Sequence, residues 1–249
     1  MTKNKPARRP ASPLARLRPF WVLLVVLVVA AGAAGYYAAT WKGFLPKRIV
    51  IAGNRIVPAQ EIAQGAAISP RLNIWLQNTG AEARRVAAIP YIASVRVHRI
   101  PPATIQIAVT ERVPYAIVRT PQDSAIIDRD LRVLEPATDP STALPFFVVK
   151  SNPQLQAGSF LRPRDLLRLR ADYQTLRAAH VAVASEQFDR FGDLVAITRT
   201  GVHVMLGDDG DLAAKARMID PILSQAGGHG RKIASVDLRS PRTPVVVYR

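Results

Sequence analysis

The chain has 249 residues, of which 49% are apolar, 34 are Lys or Arg, 18 are Asp or Glu, and none is Cys. This length suits one or two domains, and the apolar fraction excludes a wholly disordered chain. The lack of Cys excludes disulfide bonds, thiolate zinc sites and cysteine nucleophiles. The net charge of +16 is unevenly distributed, because ten basic residues precede the first acid, Glu61. The positive charge therefore flanks a hydrophobic segment, which argues against a nucleic-acid-binding protein.

The sequence predicts one transmembrane helix over residues 20–41. No Asp, Glu, Lys, Arg or His occurs between Arg18 and Lys42. As a helix rising about 1.5 Å per residue, the apolar run Phe20–Ala39 would span roughly 30 Å, the thickness of the hydrocarbon layer of a bilayer. Aromatic residues suited to the two membrane interfaces lie at its ends, namely Trp21, Tyr36, Tyr37 and Trp41.

A cleavable signal peptide is the competing interpretation, with the small residues 31–33 as the cleavage site. The apolar run continues past Ala33 to spanning length, which favours a retained anchor. Basic residues are more numerous before the helix than just after it, so residues 1–19 are expected to form a cytoplasmic tail. The prolines of that tail favour an extended or irregular chain. We therefore expect a single-pass type II protein of the cell (inner) membrane, with its larger part periplasmic or otherwise extracytoplasmic.

Residues 45–113 predict a β-α-α-β-β unit with two helices on one face of a three-stranded sheet. Thr79 is the expected N-cap of the second helix, since Glu82 stands at the capping-box spacing. The predicted elements, in order, are a strand at 48–51, helices beginning near Pro58 and Thr79, and strands at 91–99 and 104–109.

Residues 114–249 predict a mixed or antiparallel β domain with two or more helices, which makes the whole chain α+β. Pro221 is expected to kink or divide the second of these helices. The predicted elements are strands at 115–119, 125–128, 132–134 and 144–148, a helix at 163–180, strands at 194–198 and 202–206, a helix at 211–225, and strands at 233–239 and 244–248.

Six short motifs occur in an order and spacing similar to those of one protein family. They are Ile49–Asn54 (IVIAGN), Leu72–Ile74 (LNI), Ile89–Pro101 (IPYIASVRVHRIP), Glu111–Pro114 (ERVP), Gly201–Gly207 (GVHVMLG) and Val236–Arg239 (VDLR). With these motifs the chain resembles the bacterial cell-division family FtsQ/DivIB. The resemblance implies a POTRA domain at 45–113 and an FtsQ/DivIB-type β domain at 114–249.

The chain departs from the family pattern at two positions. Leu131 stands where the family commonly has the Gly of an Asp-x-x-Gly turn, so we expect this turn to avoid positive φ. Asp128 and Asp130 are interpreted as solvated turn formers, not as a catalytic pair. Ser240 stands where the family tends to have an aromatic residue, close to the expected partner surface.

No catalytic or metal-binding pattern is recognisable in the sequence. The four His residues lack metal-ligand spacing, and neither a P-loop nor a G-x-S-x-G motif occurs. We expect no enzymatic activity, no cofactor and no small-molecule substrate. Two alternatives stay open at this point, a POTRA-containing envelope chaperone or transport module and an anchored hydrolase.

The last residues, Val245–Tyr248, favour a β-strand that is covered on each face, because its apolar residues point to both sides. The residues alone leave open whether this strand is internal or lies at an edge with unpaired N–H and C=O groups. The resemblance implies that FtsB docks here, with FtsL in the same complex. The positions concerned are Asp237, Arg239, Ser240, Val245, Val246, Val247 and Tyr248.

The resemblance also implies the wider role. The chain is expected to be a non-enzymatic scaffold at the division septum that links early and late division proteins and helps to control septal peptidoglycan synthesis. FtsK, FtsW and FtsI are further expected partners, and the lipid bilayer is contacted through residues 20–41.

Overall fold

A computed structural model describes residues 13–138, 143–208, 210–228 and 231–249. Helix α1 spans Pro13–Thr40 and contains the apolar stretch Phe20–Tyr37, with a mean hydropathy of 2.1 and no residue buried. Of the described helices, α1 is the one long and apolar enough to cross a membrane. The prediction of an irregular chain is wrong for residues 13–19, because the helix begins at Pro13, where a missing N–H costs no helical hydrogen bond. Residues 1–12 of the predicted tail lie outside the described residues.

The first sheet has the predicted β-α-α-β-β order. Alternate residues of its central strand, Ile105, Ile107 and Val109, are buried against the helices with Ile62 and Val86. The strand order is β1-β3-β2, with β1 parallel and β2 antiparallel to β3. The elements are β1 (Arg48–Ala52), α2 (Ala59–Ala66), α3 (Thr79–Ala87), β2 (Ile92–Ile100) and β3 (Thr104–Glu111), preceded by a 3-10 helix, Lys42–Phe44.

The second sheet has nine strands in the order β12-β11-β10-β9-β8-β7-β4-β5-β6. Two helices, α4 (Arg164–Ala178) and α5 (Leu212–Gly227), pack together on one face and form the main core with it. The strands are β4 (Ala116–Arg119), β5 (Ser124–Ile127), β6 (Val133–Pro136), β7 (Phe146–Val148), β8 (Val183–Phe188), β9 (Leu194–Thr198), β10 (His203–Gly207), β11 (Ile233–Asp237) and β12 (Val245–Tyr248).

Two details of the helices differ from expectation. The N-cap of α3 is Asn78 instead of Thr79, and its Oδ1 accepts a hydrogen bond of 3.0 Å from the N–H of Ala81. Asn is as effective at this position as Ser or Thr, so the start moves by one residue without loss of the cap. The expected division of α5 at Pro221 is wrong, because the helix continues to Gly227, and a kink at Pro221 stays a prediction.

Strand β8 is absent from the sequence-based prediction because a buried acid interrupts its alternation. Glu186 pairs with Phe147 and Ala196, which are both buried, and is itself buried beneath α4. Neither carboxylate oxygen has a hydrogen-bond partner among the described residues. Burial and, secondarily, the nearby Asp172 raise the pKa of Glu186 well above its usual range. Burial in the core therefore disfavours the charged form of this carboxyl group.

The Glu-Arg pair at the end of β3 links the two units. The carboxylate of Glu111 accepts hydrogen bonds from the N–H groups of Ile56 (2.8 Å) and Val57 (2.9 Å), within the first unit. The guanidinium of Arg112 reaches the second unit, where it forms an ion pair with Asp128 and a 3.2 Å hydrogen bond to Asp130. The ERVP motif thus has a structural role, because Glu111 binds backbone of the first unit and Arg112 binds acids of the second.

The turn after β5 contradicts two expectations. Leu131 adopts positive φ (63°) instead of avoiding it, and Asp128 is buried, not solvated. The Oδ1 of Asp128 accepts hydrogen bonds from the N–H groups of Asp130 (2.9 Å) and Arg132 (2.8 Å). These bonds, with the burial of the Leu131 side chain, offset a backbone conformation that normally favours glycine.

Candidate functional site

The seven residues predicted to bind a partner lie in one β-hairpin, formed by β11, β12 and the loop between them. Strand β12 is antiparallel to β11, with Val246 opposite Val236 and Val245 opposite Asp237. It is the last strand in the sheet order, and no other described strand pairs with its outer side. Val245–Tyr248 therefore forms an edge strand.

The backbone N–H and C=O groups of β12 point alternately toward β11 and toward the free edge of the sheet. The N–H of Arg249, which follows the strand, donates to the carbonyl of Lys232 at 2.9 Å and so faces the β11 side. Successive residues of a regular antiparallel strand point their N–H and C=O groups to opposite sides. The pairing shifts between Ile233 and Ser235, but the extra residue lies in β11, so the alternation along β12 is kept. Val247 consequently faces β11, while the N–H and C=O groups of Val246 and Tyr248 face outward.

The side chains of β12 are covered on one face only. Val246 packs against the core on the helical side of the sheet, in register with Val236. Val245 and Val247 point to the opposite face and are 56% and 49% exposed. The expectation that β12 is covered on each face is therefore wrong, because α4 and α5 lie on one face of the sheet alone. An edge strand with exposed valines is suited to strand addition.

The start of the hairpin loop is ordered by an ion pair. The N–H of Arg239 donates to Oδ1 of Asp237 at 3.0 Å, and its Nη2 donates to Oδ2 at 2.6 Å. Hydrogen bonding from Arg239 lowers the pKa of Asp237 and outweighs the opposing effect of burial. Further along the loop, the hydroxyls of Ser240 and Thr243 lie 3.0 Å apart. Asp237, Arg239 and Ser240 thus give the loop a fixed shape next to β12.

A groove of about 500 Å³ lies beside the hairpin on the open face of the sheet. Cross-strand pairing places Met205 opposite Asp237, which is itself opposite Val245, so the groove is continuous with the exposed side of β12. This groove was not predicted from the sequence, although the apolar outward residues of β9 and β10 are a signal for it. Its lining comprises Asp189, Asp193, Val195, His203, Met205, Ala234, Ser235 and Arg239.

Comparison with known proteins agrees with this architecture. Residues 44–112 match the family model of the FtsQ-type POTRA domain. The chain is 32% identical to the cell division protein FtsQ of Mycobacterium tuberculosis (strain H37Rv), over 96% of this chain and 73% of that protein. It is 28% identical to FtsQ of Mycolicibacterium smegmatis, over 91% and 63%, and 23% identical to FtsQ of Agrobacterium fabrum, over 79% and 59%. These matches favour a cell-division protein over an envelope chaperone or transport module, and the chain belongs to the FtsQ family.

Proposed function

We propose that this chain is a non-enzymatic, single-pass scaffold of the divisome that binds FtsB by adding a strand of FtsB to β12, with FtsL held in the same complex. The observation that supports this proposal is the unpaired outer edge of β12, with exposed Val245 and Val247 beside it. In strand addition, backbone hydrogen bonds supply affinity and alternate side chains supply specificity.

The groove beside the hairpin extends the proposed interface. A partner segment that continues from the added strand would lie over the open face of the sheet, next to Val195 and Met205. Acidic side chains (Asp189 and Asp193) and a basic one (Arg239) border this apolar floor. We expect the partner segment to combine apolar residues with charges of both signs, because this pattern complements the groove.

The scaffold role follows from holding several proteins at one place on the membrane. With α1 in the bilayer and its N-terminus in the cytoplasm, both folded units would lie outside the cytoplasm at the septum. Binding of FtsB and FtsL there would link the early division protein FtsK to the late proteins FtsW and FtsI. The expected consequence is control of septal peptidoglycan synthesis without any reaction by this chain itself. The anchor-like helix and membership of the FtsQ family support this proposal.

A matched pair of substitutions at Val246 tests strand addition. The full chain is placed in lipid nanodiscs, and its affinity for FtsB from the same organism is measured by biolayer interferometry. Val246→Pro removes the outward-facing N–H, and edge strands tolerate such a proline. Val246→Ala keeps this N–H but loses about as much side-chain packing as Val246→Pro, so the two variants differ mainly in the backbone hydrogen bond. We expect Val246→Pro to bind at least tenfold more weakly than Val246→Ala. Equal affinity of the two folded variants would contradict strand addition.

The side-chain contribution is tested in the same assay. Val245→Asp combined with Val247→Asp leaves the core intact but places two charges on the proposed contact, so capture of FtsB should be lost. Val50→Asp is the control, since Val50 is an exposed valine on the edge strand β1 of the other sheet. If all these variants captured FtsB equally, the proposed site would be wrong.

A further inference from the structure

Three large apolar side chains are exposed together on one loop of the POTRA domain. Leu72 is 45% exposed, Trp75 52% and Leu76 56%, all between α2 and α3. We refer to these three residues as the loop patch. They take no part in the core of the domain, where Ile74 from the same loop is buried. A cluster of exposed apolar side chains usually marks a contact surface.

The loop that carries the patch is held in place by hydrogen bonds from buried polar side chains. Asn73 Oδ1 accepts a hydrogen bond from the N–H of Trp75 (2.9 Å), and Gln77 Nε2 donates to the carbonyls of Ser69 (2.6 Å) and Leu72 (3.0 Å). Both polar side chains are buried. Arg99 adds hydrogen bonds of 2.7 Å to the carbonyls of Ile74 and Gln77. Since the polar residues of the loop point inward, its apolar residues are held outward by the fold.

The loop patch lies next to the end of the membrane-spanning helix. Trp41 follows α1 directly, and its ring contacts Phe44 at 4.7 Å between centroids. Phe44 in turn contacts Trp75 at 6.4 Å, and its carbonyl accepts a 2.9 Å hydrogen bond from the N–H of Ile74. The interfacial zone of a bilayer is about 5–7 Å deep on each side, and Trp is enriched there. Through these ring contacts, Trp75 is linked to Trp41 at the end of α1. The loop patch is thus placed near the depth at which α1 passes from the hydrocarbon layer into the interfacial zone.

The charges around the loop patch also suit a membrane surface. Lys42, Lys47 and Arg48 are exposed within the eight residues that follow α1, and Arg71 is exposed directly before Leu72. No Asp or Glu precedes Glu61 in the chain. Basic residues next to a membrane are attracted to anionic lipid headgroups. Apolar side chains with a basic border are typical of segments that lie in the bilayer interface.

We propose that the loop patch docks the POTRA domain onto the lipid interface of the bilayer in which α1 is anchored. The occupant of this surface is the glycerol and headgroup region of the lipids, with anionic headgroups next to the basic residues. Leu72, Trp75 and Leu76 insert beside Trp41 and fix the height and rotation of the domain above the membrane. This inference rests on the proposed anchoring through α1, and the experiment separates the two.

Depth-dependent quenching of single tryptophans tests the contact. The full chain is reconstituted in vesicles of three parts phosphatidylcholine and one part phosphatidylglycerol, with a doxyl-labelled lipid that quenches at the interface. One variant keeps only Trp75 (Trp21→Phe, Trp41→Phe), and another keeps only Trp41. The control carries Phe191→Trp with the other three tryptophans replaced by Phe, because Phe191 is an exposed aromatic residue on the β8–β9 turn. We expect the doxyl lipid to reduce Trp75 emission at least twofold and to leave the control unchanged.

The outcomes distinguish the anchor from the loop patch. If Trp41 is not quenched, the anchoring proposal fails and the loop contact fails with it. If Trp41 is quenched but Trp75 behaves like the Phe191→Trp probe, the anchor stands and the loop contact is wrong. Adding Leu72→Glu and Leu76→Glu to the Trp75 variant should remove at least half of its quenching while the circular dichroism spectrum stays unchanged. Unaltered quenching in that variant would also overturn the proposal.

Discussion

The two edges of the nine-stranded sheet, β6 and β12, differ in whether the chain's own backbone binds their outer side. At β6, the N–H of Val133 donates to the carbonyl of Ser159 (2.9 Å), and the N–H of Gly158 donates to the carbonyl of Val133 (2.8 Å). At β12, no described residue pairs with the outer side of the strand. An uncovered edge invites association with other chains, so proteins normally protect it. The chain covers the start of β6, at Val133, with its own backbone, whereas no described strand pairs with the outer side of β12, which is therefore the better candidate for a partner strand.

The same contrast appears in the ion pairs at the two ends. Near β6, Arg112 and Asp128 are both largely buried, with side-chain exposures of 12% and 5%. Near β12, Arg239 and Asp237 are more open, at 52% and 23%. Breaking a buried pair leaves a charge without a partner in a poorly solvated place, whereas an exposed pair exchanges its partner for water. The two ends should consequently respond very differently to the loss of one charged residue.

The largest effect is expected for Asp128→Ala. This change leaves Arg112 without its buried partner and removes the acceptor for the N–H groups of Asp130 and Arg132. The free energy of unfolding should fall by about 3–5 kcal/mol, as for other broken buried pairs. Urea denaturation of the full chain in detergent, followed by circular dichroism, measures the change. Asp123→Ala in the exposed β4–β5 turn is the control, and a similar loss there would contradict the assigned role of Asp128.

An intermediate effect is expected for Gly158→Ala, in the segment that covers β6. Gly158 has a φ of +86°, and a Cβ would meet no heavy atom closer than 3.7 Å. The cost therefore comes from the left-handed backbone alone and should be about 1–2 kcal/mol in the free energy of unfolding. Gly227→Ala, at the end of α5 with open space around it, is the control and should not destabilise the protein. Equal effects of the two changes in the urea experiment would show that the backbone of Gly158 is not under this constraint.

The sequence predicts elements well where local patterns dominate. Strands β2 and β3 follow from strict alternation, and three valines with a tyrosine predict β12. Strand β8 escaped prediction because Glu186 occupies a buried position that alternation assigns to an apolar residue. The positive φ of Leu131 was not predicted, because hydrogen bonds to Asp128 offset the unfavourable backbone conformation. The burial of Glu186 and of Leu131 depends on tertiary packing, which leaves no trace in local propensity.

The candidate site could be predicted only in part from the sequence, because its surface depends on contacts between residues distant in the chain. Residue types indicate that Val245–Tyr248 forms a strand, but its place at the edge depends on the order of nine strands that are distant in the chain. The exposure of Val245 and Val247 depends in turn on which face α4 and α5 cover. The groove combines residues from three strands, the β8–β9 turn and the loop between β11 and β12. Pairings of this kind are set by long-range packing, which a single sequence does not display.

The smallest effect is expected for Arg239→Ala. Because both partners of this pair are partly exposed, the free energy of unfolding at neutral pH should change only slightly. The pKa of Asp237 should rise toward its ordinary value, since hydrogen bonding from Arg239 is the main cause of its depression. A depressed folded-state pKa stabilises the fold above the pKa of the unfolded chain, and this contribution is lost as the pH falls through the folded-state value. The variant should therefore lose less stability than the parent on acidification.

Carboxyl carbon chemical shifts in an NMR titration measure the pKa of Asp237 directly, with Arg242→Ala as the control because Arg242 is exposed in the same loop. An unchanged Asp237 pKa in Arg239→Ala, or an equal rise in the control, would contradict the assigned cause. The same two variants refine the contrast between the sheet ends. If Arg239→Ala weakens FtsB capture far more than Arg242→Ala while stability is nearly unchanged, then the pair near β12 serves binding, whereas the pair near β6 serves the fold.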